Sequence, residues 1–259
     1  MDAQAVRAAF DEQIRRSPDP DTPDDRVERD PGVVRRLSAG DGWNGVTWSD
    51  LDEASAGAVI AEQVSRFAEL ARPWEWKYYS YDRPPDLPDR LRAAGFTPEP
   101  VEALLVAEIA DLTLDVPPPD GVELRDVVDK AGADALVAVH DEVFGMDHSP
   151  IGRSVLARLT QEPPTVAAVV AMAGEKPISA GRVEFHPGTD FASIWGGGTL
   201  PQWRGRGVFR ALVAHRAALA AAGGYRYLQV DASPDSRPIL RRLGFVELGT
   251  TTPFTHPGA

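Results

Sequence analysis

Residues 59–96 align without a gap on residues 208–245, at a constant separation of 149 positions. The identities run the length of the window: Val59/Val208, Val64/Val213, Ala68/Ala217, Leu70/Leu219, Ala71/Ala220, Tyr78/Tyr227, Asp82/Asp231, Pro85/Pro234, Asp86/Asp235, Leu91/Leu240, Arg92/Arg241, Gly95/Gly244 and Phe96/Phe245. A chain that repeats one stretch in this way folds the same supersecondary unit twice. Each copy reads as a helix, a β-rich run and a short helix closed by Gly-Phe. In the second copy the helix is expected from Val208 to Ala222, stopped by Gly223-Gly224, and the strand from Tyr225 to Val230, with Pro238 opening the last helix. In the first copy the same elements fall at 55–70, 74–81 and 87–94.

The two copies imply two domains. The stretch Val116-Pro117-Pro118-Pro119-Asp120-Gly121 continues neither a helix nor a central strand, so the boundary is placed there, giving domains of 1–115 and 120–259. The proline-punctuated acidic stretch 17–30 reads as a solvated connector. Bulk properties exclude more than they select. The chain has no cysteine, which removes disulfides, thiolate ligands and cysteine nucleophiles. A formal charge of −12 argues against binding nucleic acid and favours no membrane surface. The longest apolar run, 166–173, is too short to span a bilayer, and the first forty residues hold no signal-like apolar core, so a cytoplasmic protein is expected.

In the second half, 122–127 alternates like an edge strand, and the helix 131–144 places Leu136, Val139, His140 and Val143 on one face. A helix at 151–159 follows a loop with Met146, Asp147 and His148. Strands at 165–172 and 178–185 form a hairpin through Gly174, and a third runs from Phe191 to Leu200. The expected fold is α/β (α+β in its mixed sheet): a mixed, largely antiparallel sheet flanked by helices. After that third strand comes Gln202-Trp203-Arg204-Gly205-Arg206-Gly207, directly before the Val208 helix. Glycines let the backbone turn tightly, the free amides of the first helical turn point outward, and Arg204 and Arg206 add positive charge; together they suit a pyrophosphate. The loop lacks the third glycine of a dinucleotide fingerprint and the Gly-Lys-Ser/Thr ending of a P-loop.

The run from Leu200 to Val208, followed by Leu243-Gly244-Phe245, resembles the GNAT acetyltransferase superfamily over about residues 120–252, and the whole chain resembles tandem members with a degenerate first copy. That resemblance implies acetyl-CoA as cosubstrate. Its pyrophosphate would lie on the amides of Gln202, Arg204, Gly205, Arg206, Gly207 and Val208, and its pantetheine arm on the main chain of Thr199 and Leu200. Gly196-Gly197-Gly198 would either keep the strand open to close approach or mark a bulge. Ser233 stands where many members carry a cofactor-side asparagine, and Leu240 where they carry a tyrosine that serves the leaving thiolate.

At the same offset the first copy has Glu53, Ser55 and Gly57 in place of Gln202, Arg204 and Arg206, so it is expected to lack a cofactor. Acyl transfer needs a base for the amine. Glu184, with a carboxyl pKa raised by desolvation, is the first candidate; His148 follows, while His140 reads as a core residue. No metal is expected, since Asp141-Glu142 and Asp147-His148 lack further ligands at suitable spacing. A serine hydrolase is disfavoured because no Gly-Xaa-Ser-Xaa-Gly elbow occurs. Two functions remain: an N-acetyltransferase acting on a small primary amine, as a monomer or homodimer, and a non-catalytic acyl-CoA-binding or sensory module.

Overall fold

The computed structural model describes residues 1–258 except 21, 23, 39–41 and 71. The Ala71 side of the Ala71/Ala220 identity, and two positions of the 17–30 segment, lie outside the described residues. The chain forms two compact units: Met1–Leu105 with Asp231–Pro238 and Glu247–Ala259, and Val106–Val230 with Ile239–Val246. The units exchange short chain segments, which a single cut at 116–121 does not provide.

Unit 1 begins with α1 (Ala3–Phe10), capped by the Asp2 carboxylate and continued by a π-spaced turn to Arg15. Then come β1 (Arg26–Asp30), β2 (Val33–Leu37), β3 (Gly45–Ser49), α2 (Ala56–Ala68), β4 (Trp74–Tyr79), α3 (Leu87–Ala93), β5 (Thr97–Pro98) and β6 (Glu102–Glu108), the last crossing the unit boundary. The strand β1 corrects the expected solvated connector: Arg26–Asp30 pairs antiparallel with β2, and that ladder satisfies its backbone groups. β2 and β3 are antiparallel, while β3 and β4 are parallel, with α2 as the crossover between them. The apolar faces of α2 and α3 close over Trp74 and Trp76, with Phe67 stacked on Trp74 at 4.1 Å between ring centroids.

Unit 2 contains β7 (Glu123–Asp126), α4 (Lys130–Phe144), α5 (Ser149–Leu159), β8 (Val166–Ala173), β9 (Lys176–Phe185), β10 (Phe191–Thr199), α6 (Val208–Ala222), β11 (Tyr227–Ala232) and α7 (Arg237–Arg242). The last two run into the segments exchanged with unit 1, as does β12 (Val246–His256), which pairs antiparallel with β4 in unit 1. β7, β8, β9 and β10 are antiparallel neighbours, and β10 and β11 are parallel with α6 between them. Each unit is therefore a mixed sheet flanked by helices, and the repeated stretch is in each case the helical crossover between parallel strands.

Secondary structure slides along the repeat by about one helical turn. α2 stops at Ala68, but α6 continues through an alanine run to Ala222, five residues beyond the position matching Ala68, until Gly223 and Gly224 end it. The strand shifts with it: Tyr78 lies late in β4, and its counterpart Tyr227 opens β11. The repeated acids serve ion pairs. In unit 1 Asp82 takes two 2.8 Å bonds from the buried Arg15 guanidinium, and Asp231 pairs with Lys77.

Candidate active site

The strand-to-helix turn after β10 has the geometry of an anion seat. Gly205 and Gly207 adopt φ of +73° and +88°, and Gly207 is the N-cap of α6 with no side chain bonded to the first-turn amides. A Cβ built on Gly205 would meet no protein atom within 4 Å, so this glycine is present for its backbone conformation and for the open space above it. Gln202, Arg204, Gly205, Arg206 and Gly207 are exposed. Val208 anchors the turn, since its side chain is buried with Leu212, Val169 and Ile178 and is covered by Trp203. Arg206 lies over the Trp203 ring at 5.0 Å, and Arg204 Nε donates to the Thr199 carbonyl at 3.0 Å.

Beside this turn the sheet opens. The paired register of β10 with β11 ends at Ser193↔Gln229, yet β10 continues to Thr199. Its register with β9 shifts by one residue between Trp195 and Gly198, so the three glycines do form a β-bulge, with Gly196 at φ +61°. The Leu200 amide donates to Ile178 at 2.9 Å, and its carbonyl accepts from Trp203 at 2.8 Å. The Leu200 amide is therefore committed to β9, while its carbonyl accepts one bond from the turn and keeps a second lone pair. Successive amides of a strand point to opposite edges, so the Thr199 N–H faces the open edge. The Thr199 hydroxyl is held at 2.7 Å from Ser179 Oγ.

Glu184 lies on β9 opposite Ser193. Arg182 Nε donates to it at 2.7 Å and Arg158 Nη1 lies at 3.3 Å. Burial favours the neutral acid, but Arg182 and then Arg158 outweigh it and hold the carboxyl at about 2. The expected upward shift is thus reversed, because desolvation arrives together with two guanidiniums. A carboxylate so held is a poor proton acceptor near neutrality.

Among the described residues His148, the second candidate, meets no guanidinium but a carbonyl and a carboxylate. Its Nδ1 is 2.8 Å from the Met146 carbonyl, which only accepts, so Nδ1 bears a proton and Nε2 is the ring nitrogen left for other partners. Asp141 fixes the residue twice, accepting the His148 backbone amide at 2.8 Å and standing 3.1 Å from Nδ1. The ring packs against His140 and Phe144 at 5.4 and 5.6 Å. No sequence pattern announces this dyad; residues seven apart meet because Gly145, at φ +74°, ends α4 and turns the loop back. His140 is a core residue, as expected, and is 1% exposed. Ser233 belongs to a segment of unit 1 and spends its hydroxyl within its own turn, 3.2 Å from Ser236 Oγ. Leu240 is buried in the core.

A mixed sheet split beside an uncapped, glycine-bounded helix N-terminus makes an α/β fold with an open seat for an anion. Residues 134–245 match the model of the acetyltransferase (GNAT) family. A GCN5-related N-acetyltransferase from Kribbella flavida superposes with a TM-score of 0.72 at 21% identity, covering 100% of this chain and 96% of that one. A functionally unknown protein from Staphylococcus epidermidis gives 0.65 at 13%, covering 90% and 93%. A tandem GNAT protein from the clavulanic acid biosynthesis pathway gives 0.60 at 15%, covering 92% and 84%. No curated protein matches the chain. Residues 134–245 are thus similar to the GNAT acetyltransferase family, within a fold shared along nearly the whole chain with a tandem GNAT protein. Among the described residues no helix is long and apolar enough to cross a membrane.

Proposed function

We propose that unit 2 binds acetyl-CoA and transfers its acyl group to a small primary amine, while the first copy is a degenerate scaffold without cofactor. The observation that carries this reading is the opening of β10 from β11 beside a helix N-terminus whose amides have no intramolecular cap. The pyrophosphate lies on the amides from Gln202 to Val208, with Arg204 and Arg206 at its flank, and the pantetheine arm follows β10 on the Thr199 amide. The amine nitrogen attacks the thioester carbonyl carbon, the C–N bond forms, and the C–S bond breaks. His148 Nε2 takes the amine proton, with Asp141 steadying the resulting imidazolium, and the CoA thiolate takes a proton from solvent.

The alternative, a non-catalytic acyl-CoA-binding module, is favoured by the low basicity of Glu184 and the absence of a phenol at Leu240. Turnover separates the two. Calorimetry is expected to give one acetyl-CoA site per chain, and an amine screen with thiol detection is expected to find an acceptor whose kcat falls roughly a hundredfold or more in His148→Ala with unchanged donor affinity. Two sites per chain would remove the degenerate-copy reading. Binding without turnover on any amine would leave the sensory module.

A further inference from the structure

The glycines of the β10 bulge are demanded by neighbours on both faces of the sheet. A Cβ on Gly196 would stand 2.7 Å from His140 Cε1, and one on Gly198 would stand 3.1 Å from Val143, both on α4. A Cβ on Gly197 would stand 2.9 Å from Phe209 and 3.3 Å from Arg216 Nη2, both on α6. Side chains alternate along a strand, so α4 crowds one face of the bulge and α6 the other.

Arg216 is 1% exposed, and no carboxylate pairs with it among the described residues. Its Nε donates to the Leu212 carbonyl at 3.0 Å, and Nη1 reaches the carbonyls of Arg182 and Trp195 at 3.3 and 3.4 Å. Nη2 is buried without a hydrogen-bond partner, and so is His140 Nε2, although the Gly196 main chain lies alongside it. In unit 2 these are the two such side-chain nitrogens among the described residues, and both press on the same bulge. Glu184, the nearby acid on β9, is engaged with Arg182 and Arg158 instead. His140 brings no charge, because burial and then Arg182 push its pKa down to about 4.

A buried guanidinium without a counter-ion is destabilising, and an apolar side chain of similar length would fill the space without that penalty. Such groups persist where charge develops during a reaction. We infer that Arg216 is a positioning residue for acyl transfer, holding the Trp195 carbonyl from behind the sheet and polarising the bulge amides on the open edge, which receive the thioester oxygen as it becomes negative. Arg216 gives up no proton and forms no bond to substrate. Gly181 is part of the arrangement, since a Cβ there would stand 2.6 Å from Arg216 Nη1.

The inference rests on the acyl-CoA reading above, and its test reads the donor carbonyl directly. Isotope-edited infrared spectra of carbonyl-labelled acetyl-CoA bound to the full chain are expected to show the thioester stretch lowered relative to free donor. Arg216→Gln retains a donor for the Trp195 carbonyl but removes the charge, and is expected to lose roughly half or more of that shift, with the acetyl-CoA Kd within about twofold of wild type. Arg216→Lys, which keeps the charge, is expected to retain most of it. Gly181→Ala displaces the guanidinium without altering α6, and supplies the same comparison if Arg216→Gln does not fold. An undiminished shift in Arg216→Gln or Gly181→Ala overturns the role, and so does a loss of shift matched by loss of binding, which marks a merely structural residue. Failure of the wild-type chain to bind acetyl-CoA overturns the acyl-CoA reading and this inference with it; binding with no carbonyl shift overturns the inference alone.

Discussion

The N-termini of α2 and α6 stand at the start of the two copies of the repeat and neither has a side-chain cap, but the turns that lead into them differ. Before α2 the Asp52 carboxylate accepts the amides of the turn residues Ala54 and Ser55 at 2.9 and 2.7 Å, which places a carboxylate in the turn ahead of the helix. Before α6 no side chain does this, and two positive-φ glycines hold the turn open. The strands tell a similar story with the charges inverted. On β2 the Arg35 guanidinium is held by Glu28 and Asp30, whereas on β9 the Glu184 carboxylate is held by Arg182 and Arg158. One architecture can thus carry a carboxylate in the turn ahead of its crossover helix or a pair of glycines there, and the second copy, with the glycines, also leaves Arg216 without a carboxylate at the bulge among the described residues.

The largest effect is expected where an ion cluster loses its centre. Glu184→Gln strands two arginines and is expected to lower unfolding stability by about 3–5 kcal/mol, measured by denaturant titration. Because the folded carboxyl titrates at about 2, below its ordinary 4.5, its contribution is complete above that ordinary value and is lost as pH falls through about 2. An acidic limb of the pH–rate profile that vanishes in a folded Glu184→Gln enzyme would restore Glu184 as the base.

Next comes the helix terminus itself. Gly205→Val strains a backbone at φ +73° and blocks ligand approach, so acetyl-CoA affinity is expected to fall roughly a hundredfold by calorimetry, whereas Ala56→Val at the matching position of the first copy leaves it unchanged. Equal losses in both would mean that the copies share the work. A smaller effect is expected for Arg206→Ala, about tenfold in Kd at low salt and shrinking as salt screens the exposed guanidinium. The smallest belongs to Asp52→Asn. Hydrogen bonds from the Ser55 amide and side chain, and from Ala54, lower the Asp52 pKa, so its modest stabilisation is present at neutral pH and fades as pH falls through that lowered value. Melting curves of the two chains should converge in acid. A second acetyl-CoA site appearing in Asp52→Asn would show that the Asp52 charge alone silences the first copy.

The sequence by itself determined the repeat, the helix α6 to the residue, and the turn from Gln202 to Gly207, because these depend on glycine, proline and apolar spacing over a few neighbouring positions. It also placed His140 in the core and His148 in a loop. Only the tertiary structure decided what each polar group meets. Arg182 on the same strand, and then Arg158 from another element, turn the Glu184 pKa downward; β9 claims the Leu200 amide; the end of α4 brings Asp141 to His148; and the final strand of the chain joins β4 in unit 1. Charge state and hydrogen-bond commitment follow from partners distant in sequence, and local propensity carries no record of them.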